Sequence, residues 1–283
     1  MPHMAYRAAM ATVDYRTQTT LLTGASSGIG VALARELAVR GSDLVLVARR
    51  GDRLERMAAE LNGAHGVRVE AIVCDLSEPD AGTRLAREVK SRNLSVTSLV
   101  NNAGFGLDGA FADHDPARLS AMLTLNVVAV VDITRAFLAE LTSSGTGFLV
   151  NVASLAAYQP IPGMAAYSAS KTFVLNFTEA LWWETRGTGL RTMAFSPGLT
   201  RTEFFDELGT AQYDGAFQTP EQVATAMLRA IDRRRPAPSA LSRRSNVIAT
   251  WVSRVLARRA TVRATARFAG SDRLMRRDLP SPV

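Results

Sequence analysis

The feature that most restricts the fold is an alternation. Apolar runs of strand length at residues 19–23, 44–48, 67–74, 98–101, 148–152 and 190–195 are separated by segments of helical period at 30–40, 53–61, 79–91, 116–142 and 167–185. Short runs that are apolar throughout suit strands covered on both faces, and strands separated by helices pair naturally in parallel. The pattern predicts an α/β doubly wound fold, a Rossmann-like parallel sheet with helices on both faces. Such sheets take ligands at the carboxyl ends of their strands. Each predicted strand is followed there by an unusual group: Gly24 to Gly30, Arg49, Asp75, Asn102 to Gly104, Ser154, and Pro197 with Gly198.

The first of these groups is Thr23-Gly-Ala-Ser-Ser-Gly-Ile-Gly30. Glycines between a strand and a helix permit a tight turn and close backbone approach to a pyrophosphate at the positive end of the helix. Gly24, Ser26, Ser27, Gly28, Ile29 and Gly30 are the candidate phosphate-binding residues. After the second strand an acid would bond the adenosine ribose hydroxyls, but this chain has Ala48-Arg49-Arg50. A guanidinium there can grip a 2′-phosphate through paired, charge-assisted hydrogen bonds, so Arg49 and Arg50 point to NADP(H) over NAD(H).

A tyrosine can serve as a proton donor, but a free one with a pKa of about 10 holds its proton tightly. A nearby cation is expected to loosen it. Tyr167 and Lys171 are one helical turn apart and emerge on the same face. Only Lys90 and Lys171 are lysines among the 33 basic residues. In so arginine-biased a chain, a lysine at this position suggests a need for a compact ammonium.

The spacing Gly-x-x-x-Gly-x-Gly, Asn101-Asn-Ala-Gly104, Asn126, Ser154, Tyr167-x-x-x-Lys171 and Pro197-Gly198 together resemble the short-chain dehydrogenase/reductase family, over about residues 19–232. The resemblance implies a hydride transfer between a nicotinamide cofactor and a carbonyl/alcohol pair. Tyr167 would be the proton donor, and Lys171 would also reach the nicotinamide ribose. Ser154 would orient the substrate oxygen, and Asn126 would hold a relay water. It further implies that Asp75 and Leu76 border the adenine, that Asn102, Ala103 and Gly104 line the cofactor cleft, and that Pro197, Gly198 and Thr200 close over it, with Thr200 on the nicotinamide amide. A homo-oligomer paired through helices 116–142 and 167–185 is expected by the same analogy. A catalytically silent NADP-sensing or scaffolding protein on this fold is the alternative, but it predicts loss of the Tyr, Lys and Ser set, which is intact.

Phe204, Phe205, Leu208, Tyr213 and Phe217 fall in a stretch without a strong element pattern, expected to form a substrate lid over residues 199–219. With Phe105, Leu107, Tyr158, Ile161 and Met164 in other cleft-side loops they suggest a lipophilic small-molecule substrate. Residues 1–17 read as an N-terminal extension, 18–235 as the catalytic domain, and 236–283 as a basic helical extension, with a linker at 233–244 and no clear seventh strand.

The net charge of +7 sits in that tail. From Ile231 onward there are thirteen arginines against Asp232, Asp272 and Asp278, leaving 20 basic and 23 acidic residues before it. Val247, Ile248, Trp251, Val252, Val255 and Leu256 form an apolar helical face followed by Arg258, Arg259, Arg263 and Arg267. That pattern suits peripheral contact with an anionic membrane, a cap on the cleft or dimer interface, or an ordinary packed helix. With Trp251 and Phe268 the only aromatic stackers there, nucleic-acid binding is not expected. Cys74 stands alone, and His3, His65 and His114 lack ligand spacing, so no disulfide or metal site is expected. No secretory signal pattern and no apolar run near about 18 residues is read, so a cytoplasmic protein is expected.

Overall fold

The computed structural model describes residues 12–208, 216–243 and 257–268. Seven strands, β1 Thr19–Thr23, β2 Asp43–Ala48, β3 Val69–Val73, β4 Ser98–Asn101, β5 Phe148–Val152, β6 Arg191–Ser196 and β7 Ser239–Leu241, form one sheet in the order β3-β2-β1-β4-β5-β6-β7. Every neighbouring pair is parallel. Leu21, Leu22, Val45, Leu99, Val100, Leu149 and Val150 are wholly buried, which explains why these strands read as continuous apolar runs.

The helices are α1 Gly28–Val39, α2 Gly51–His65, α3 Ala81–Ser91, α4 Pro116–Leu123, α5 Ala129–Ser144, α6 Ala165–Glu184, α7 Glu203–Leu208, α8 Pro220–Ile231 and α9 Arg258–Phe268. On one face Leu33 and Leu37 of α1, Leu54 and Leu61 of α2, and Val223 and Met227 of α8 share a core with the sheet. On the other, Leu85 and Val89 of α3 meet Ile133, Phe137 and Leu141 of α5. Exchanging one such leucine for alanine costs about 2–5 kcal/mol in cores of this kind.

The sequence reading needs correction at three places. The stretch 233–244 is not simply a linker: Ala194, Phe195 and Ser196 pair with Ser239, Ala240 and Leu241, so the sheet continues past the boundary drawn at residue 235. β7 has only three half-buried residues, too few to show a period. Helix α8 was not foreseen, although Thr219 and Gln222 form a reciprocal capping box with Pro220 at the first helical position. The segment expected as one helix over 116–142 is α4, a π turn at Thr124–Val128, and α5.

That run, Pro116–Ser144, is also long and apolar enough by length and composition to cross a membrane, contrary to the sequence expectation. Its inner side packs against the sheet and 39% of its most apolar window is buried. It packs Ala129, Ile133, Phe137 and Leu141 inward and buries Asn126 and Thr134 in hydrogen bonds to neighbouring elements. The apolar face read at 247–256 lies outside the described residues.

Candidate active site

Strand order reverses between β1 and β4, and the ends of the strands around that point enclose a cleft of about 510 Å³. Gly24 and Gly28 adopt φ of +66° and +52°, a region L side chains rarely occupy. A Cβ on Gly24 would lie 2.8 Å from Ala103 Cα, and one on Gly30 would collide with the Gly24 carbonyl oxygen. Gly30 therefore does not line the cleft but lets α1 start directly beneath the loop. The loop after β4 is fastened to it, with Asn102 Nδ2 donating to Thr23 O at 3.0 Å and Ala103 N donating to Thr23 Oγ1 at 3.0 Å. A glycine cradle at a helix N-terminus fits the pyrophosphate of a dinucleotide, with the Thr202 side chain lying against it at Gly28.

Arg49, Arg50, Asp75 and Leu76 line one end of the cleft. Burial would raise the Asp75 carboxyl, but hydrogen bonds from Ser77 and the charges of Arg49 and Arg84 hold it below its ordinary value. Asp75 does not cap α3, which begins at Ala81. Arg49 is exposed at the rim. Arg50 differs from the sequence expectation: its guanidinium already bonds Ser26 Oγ at 3.1 Å and Glu203 Oε2 at 2.7 Å.

At the other end lie Ser154, Tyr167 and Lys171. Ser154 caps the short turn after β5, accepting from Ala156 N at 3.1 Å. Lys171 is 5% exposed, and its Nζ donates to Val152 O at 3.0 Å while lying 6.0 Å from the Tyr167 ring centroid. Burial pushes the Tyr167 phenol up to about 12, opposed only by a hydrogen bond with Ser154, and pushes Lys171 down to about 8. The expected loosening of Tyr167 by Lys171 is thus not present in the protein alone. Desolvation by burial is the leading cause of both shifts.

Asn126 is wholly buried in the π turn, outside the cleft wall. It bonds neither its own helix backbone nor Lys171. Its Oδ1 accepts from Phe105 N at 3.2 Å, and its Nδ2 donates to Phe105 O at 2.9 Å and to Ser170 Oγ at 3.2 Å. A Cβ on Gly104 would lie 2.8 Å from Asn126 Oδ1 and 3.3 Å from Lys171 Nζ, so only glycine lets those two polar groups flank the loop.

Phe105, Ile161, Met164 and Phe204 line the remaining part of the cleft, as expected, whereas Leu107 and Tyr158 pack behind it. Tyr213 and the side chain of Phe205 lie outside the described residues. Pro197, Gly198 and Thr200 line the cleft, with Thr200 Oγ1 turned to Gly198 O at 2.9 Å. Sequence reading missed Leu155, Gln159, Thr202, Glu203 and Thr265. Thr202 follows the Pro-Gly pair closely enough to have been suspected. Thr265 is brought in from α9 by a bond from its hydroxyl to Pro160 O at 2.7 Å, a contact across 105 residues that no local pattern announces.

Comparison with known proteins agrees with this geometry. The profile of the short chain dehydrogenase family matches residues 18–212. Sulfoacetaldehyde reductase 2 of Chromohalobacter salexigens is 40% identical over 186 residues, 65% of this chain and 73% of that protein. The NADP-dependent 3-hydroxy acid dehydrogenase of Schizosaccharomyces pombe is 33% identical over 231 residues, covering 77% and 88%. A short-chain dehydrogenase from Sphingobium yanoikuyae, solved in complex with NADPH, superposes with a TM-score of 0.76 at 31% identity over 94% of this chain and 98% of its own. With the glycine cradle, the Ser154, Tyr167 and Lys171 cluster and these matches in agreement, the chain belongs to the short chain dehydrogenase family.

Proposed function

We propose that this chain is an NADP(H)-dependent oxidoreductase that interconverts a carbonyl and an alcohol on a neutral, lipophilic substrate. The observation that carries the reading is the placement of Ser154, Tyr167 and Lys171 at one end of the same cleft whose other end presents Arg49. NADP(H) over NAD(H) is favoured by Arg49 where an acid would repel a 2′-phosphate, and the relative solved with NADPH has the same fold over nearly its whole length.

The bound nicotinamide supplies or takes the hydride, and the protein contributes orientation and the proton. Ser154 and Tyr167 converge on the position of a substrate oxygen. Tyr167, kept protonated by burial, donates to that oxygen in the reductive direction. Lys171, close to neutrality in its proton affinity, stabilises the charge left on the phenol and exchanges protons at physiological pH. Asn126 holds the Phe105 backbone and Ser170, which fixes the cleft loop and α6 around Lys171. In this proposal its part is positional, and any relay water would sit between Asn126 and Lys171, behind Gly104.

The lipophilic character follows from charge. Beyond Lys171 the substrate half is walled by Phe105, Leu155, Ile161, Met164 and Phe204, with Gln159 and Thr265 as added polar groups. Among the described residues, no cation there would match a carboxylate or sulfonate. A small anionic aldehyde is therefore a poorer fit than a neutral ketone or aldehyde with an extended apolar part.

NADPH oxidation measured against carbonyls of increasing chain length and ring size tests the reading. Catalytic efficiency is expected to rise with apolar size and to be low for short anionic aldehydes; the reverse order would overturn the substrate class. Tyr167→Phe is expected to lower turnover by about 10²–10⁴-fold with NADPH affinity retained, the range typical of a lost general acid. Retained turnover would remove Tyr167 as the donor.

A further inference from the structure

Glu203 opens α7, in the segment that leaves β6 and passes over the cleft. Its carboxylate is divided between two guanidiniums, Oε2 accepting from Arg50 Nη1 and Oε1 from Arg53 Nη1, each at 2.7 Å. Both arginines are tied in turn to the glycine loop. Arg50 Nε donates to Ser26 Oγ at 3.1 Å, and Arg53 Nη1 reaches Ser26 O at 3.4 Å.

The neighbours of Glu203 fix what this contact spans. A Cβ on Gly28 would lie 2.8 Å from Thr202 Cγ2, so the segment rests on the glycine loop itself. One residue further, the Phe204 ring packs on the Tyr167 ring with centroids 5.5 Å apart. The chain therefore crosses the cleft from the β6 side, above the glycine cradle, and is fastened on the far side to α2. Arg49, at the rim of the adenosine end, stands apart from the ion-pair cluster.

We propose that Glu203 is a positioning residue, a clasp on Arg50 and Arg53 that holds the 199–208 segment across the pyrophosphate channel, so that a bound dinucleotide leaves only when the clasp opens. The inference rests on the dinucleotide-dependent reading above. It assigns the two adjacent arginines different tasks, with Arg49 meeting the 2′-phosphate and Arg50 holding the strap. Hydrogen bonds from Arg50 and Arg53 keep the Glu203 carboxyl below its ordinary range, so the clasp remains charged through neutral pH. With Arg50, Arg53 and Glu203 side chains 38%, 41% and 42% exposed, the contact is modest in strength and sensitive to salt.

A competing geometry would have Glu203 stand in for the 2′-phosphate on Arg50. The two separate in their effect on the two cofactors. A clasp over the pyrophosphate delays NADPH and NADH alike, whereas a stand-in anion weakens NADPH alone.

The experiment is stopped-flow release of NADPH and of NADH from the wild-type chain, Glu203→Gln, Arg53→Met and the double variant. Arg53 does not line the cleft, so its removal leaves the cofactor's own contacts in place. Each single variant is expected to release both cofactors about fivefold faster, with the double variant no faster than either and the difference shrinking at about 0.5 M salt. Unchanged release rates would overturn the proposal. So would slower NADPH release in Glu203→Gln with NADH unaffected. Release is read without a carbonyl substrate, so an error in the substrate reading does not disturb this test.

Discussion

At Lys171 the chemistry and the fold pull in opposite directions. The proposed reaction uses an ammonium beside Tyr167, but the fold buries that ammonium and lowers its pKa from 10.5 to about 8. Because the charged form is the disfavoured one, the native state carries a penalty below pH 8. The penalty is relieved as pH rises from about 8 toward the unfolded value of 10.5. Relative to Lys171→Met, which has no such group, the cofactor-free wild-type protein is expected to gain stability across that window, by up to about 3 kcal/mol. Urea unfolding of both proteins on either side of the window checks it. A stability difference independent of pH would mean that Lys171 is not desolvated as the structure shows. Tyr167, raised to about 12, stays protonated in the native state; its unfolded phenol ionises near 10, a contribution that Lys171→Met shares and that therefore cancels in the comparison.

Elements, rather than residues, decide how the cleft is built. The glycine loop works because α1 begins directly under it, and α1 is held there by α8, whose Val223, Met227 and Leu228 share its apolar face. Helix α8 starts at a reciprocal cap: Gln222 N donates to Thr219 Oγ1 at 3.3 Å, and Thr219 N donates to Gln222 Oε1 at 3.1 Å. Thr219→Ala is expected to cost about 1 kcal/mol in urea unfolding. Because neither Thr219 nor Gln222 lines the cleft, NADPH affinity should change little once the protein is folded. A large loss of affinity with unchanged stability would show that α8 tunes the loop directly. The π turn between α4 and α5 is a second such device, since it presents Asn126 to the loop after β4 while the helices on either side continue to pack.

On the scale of the whole molecule the two faces of the sheet differ in what they leave outside. Helix α6 buries its inner side but exposes Phe173 and Trp183 at 42% and 60%, with Phe173 stacked on Phe177 at 5.9 Å, and the π turn leading into α5 exposes Val128 at 50%. Exposed apolar groups on α6 and on the turn leading into α5, within the two segments that the family resemblance marks for pairing, predict a homo-oligomer. Sedimentation velocity should show a dimer or larger, and Phe173→Glu should shift it toward the monomer. A wild-type monomer at micromolar concentration would overturn this expectation. Of the basic extension, the structure describes α9. In α9 Thr261 and Thr265 are buried and Arg258, Arg259, Arg263 and Arg267 are exposed, so its inner side faces the cleft wall and its charge faces solvent.

The sequence by itself determined the doubly wound sheet, because continuous apolar runs and helical periods are local properties of a chain buried on both sides. It also determined the residues at the strand ends, since topology delivers those to one edge whatever the packing. Ser154 and the glycine loop were legible for that reason, and Tyr167 and Lys171 because one helical turn brings them to the same face of α6. Tertiary structure alone decided the rest. β7 was hidden because three half-buried residues carry no period, and their strand character comes from pairing with β6. The proton affinities of Tyr167 and Lys171 depend on how much water their surroundings admit, which spacing on a helix does not encode. Glu203 joined the site because two arginines about 150 residues earlier in the chain happen to face it, and an ion pair over that separation exists only once the chain has folded.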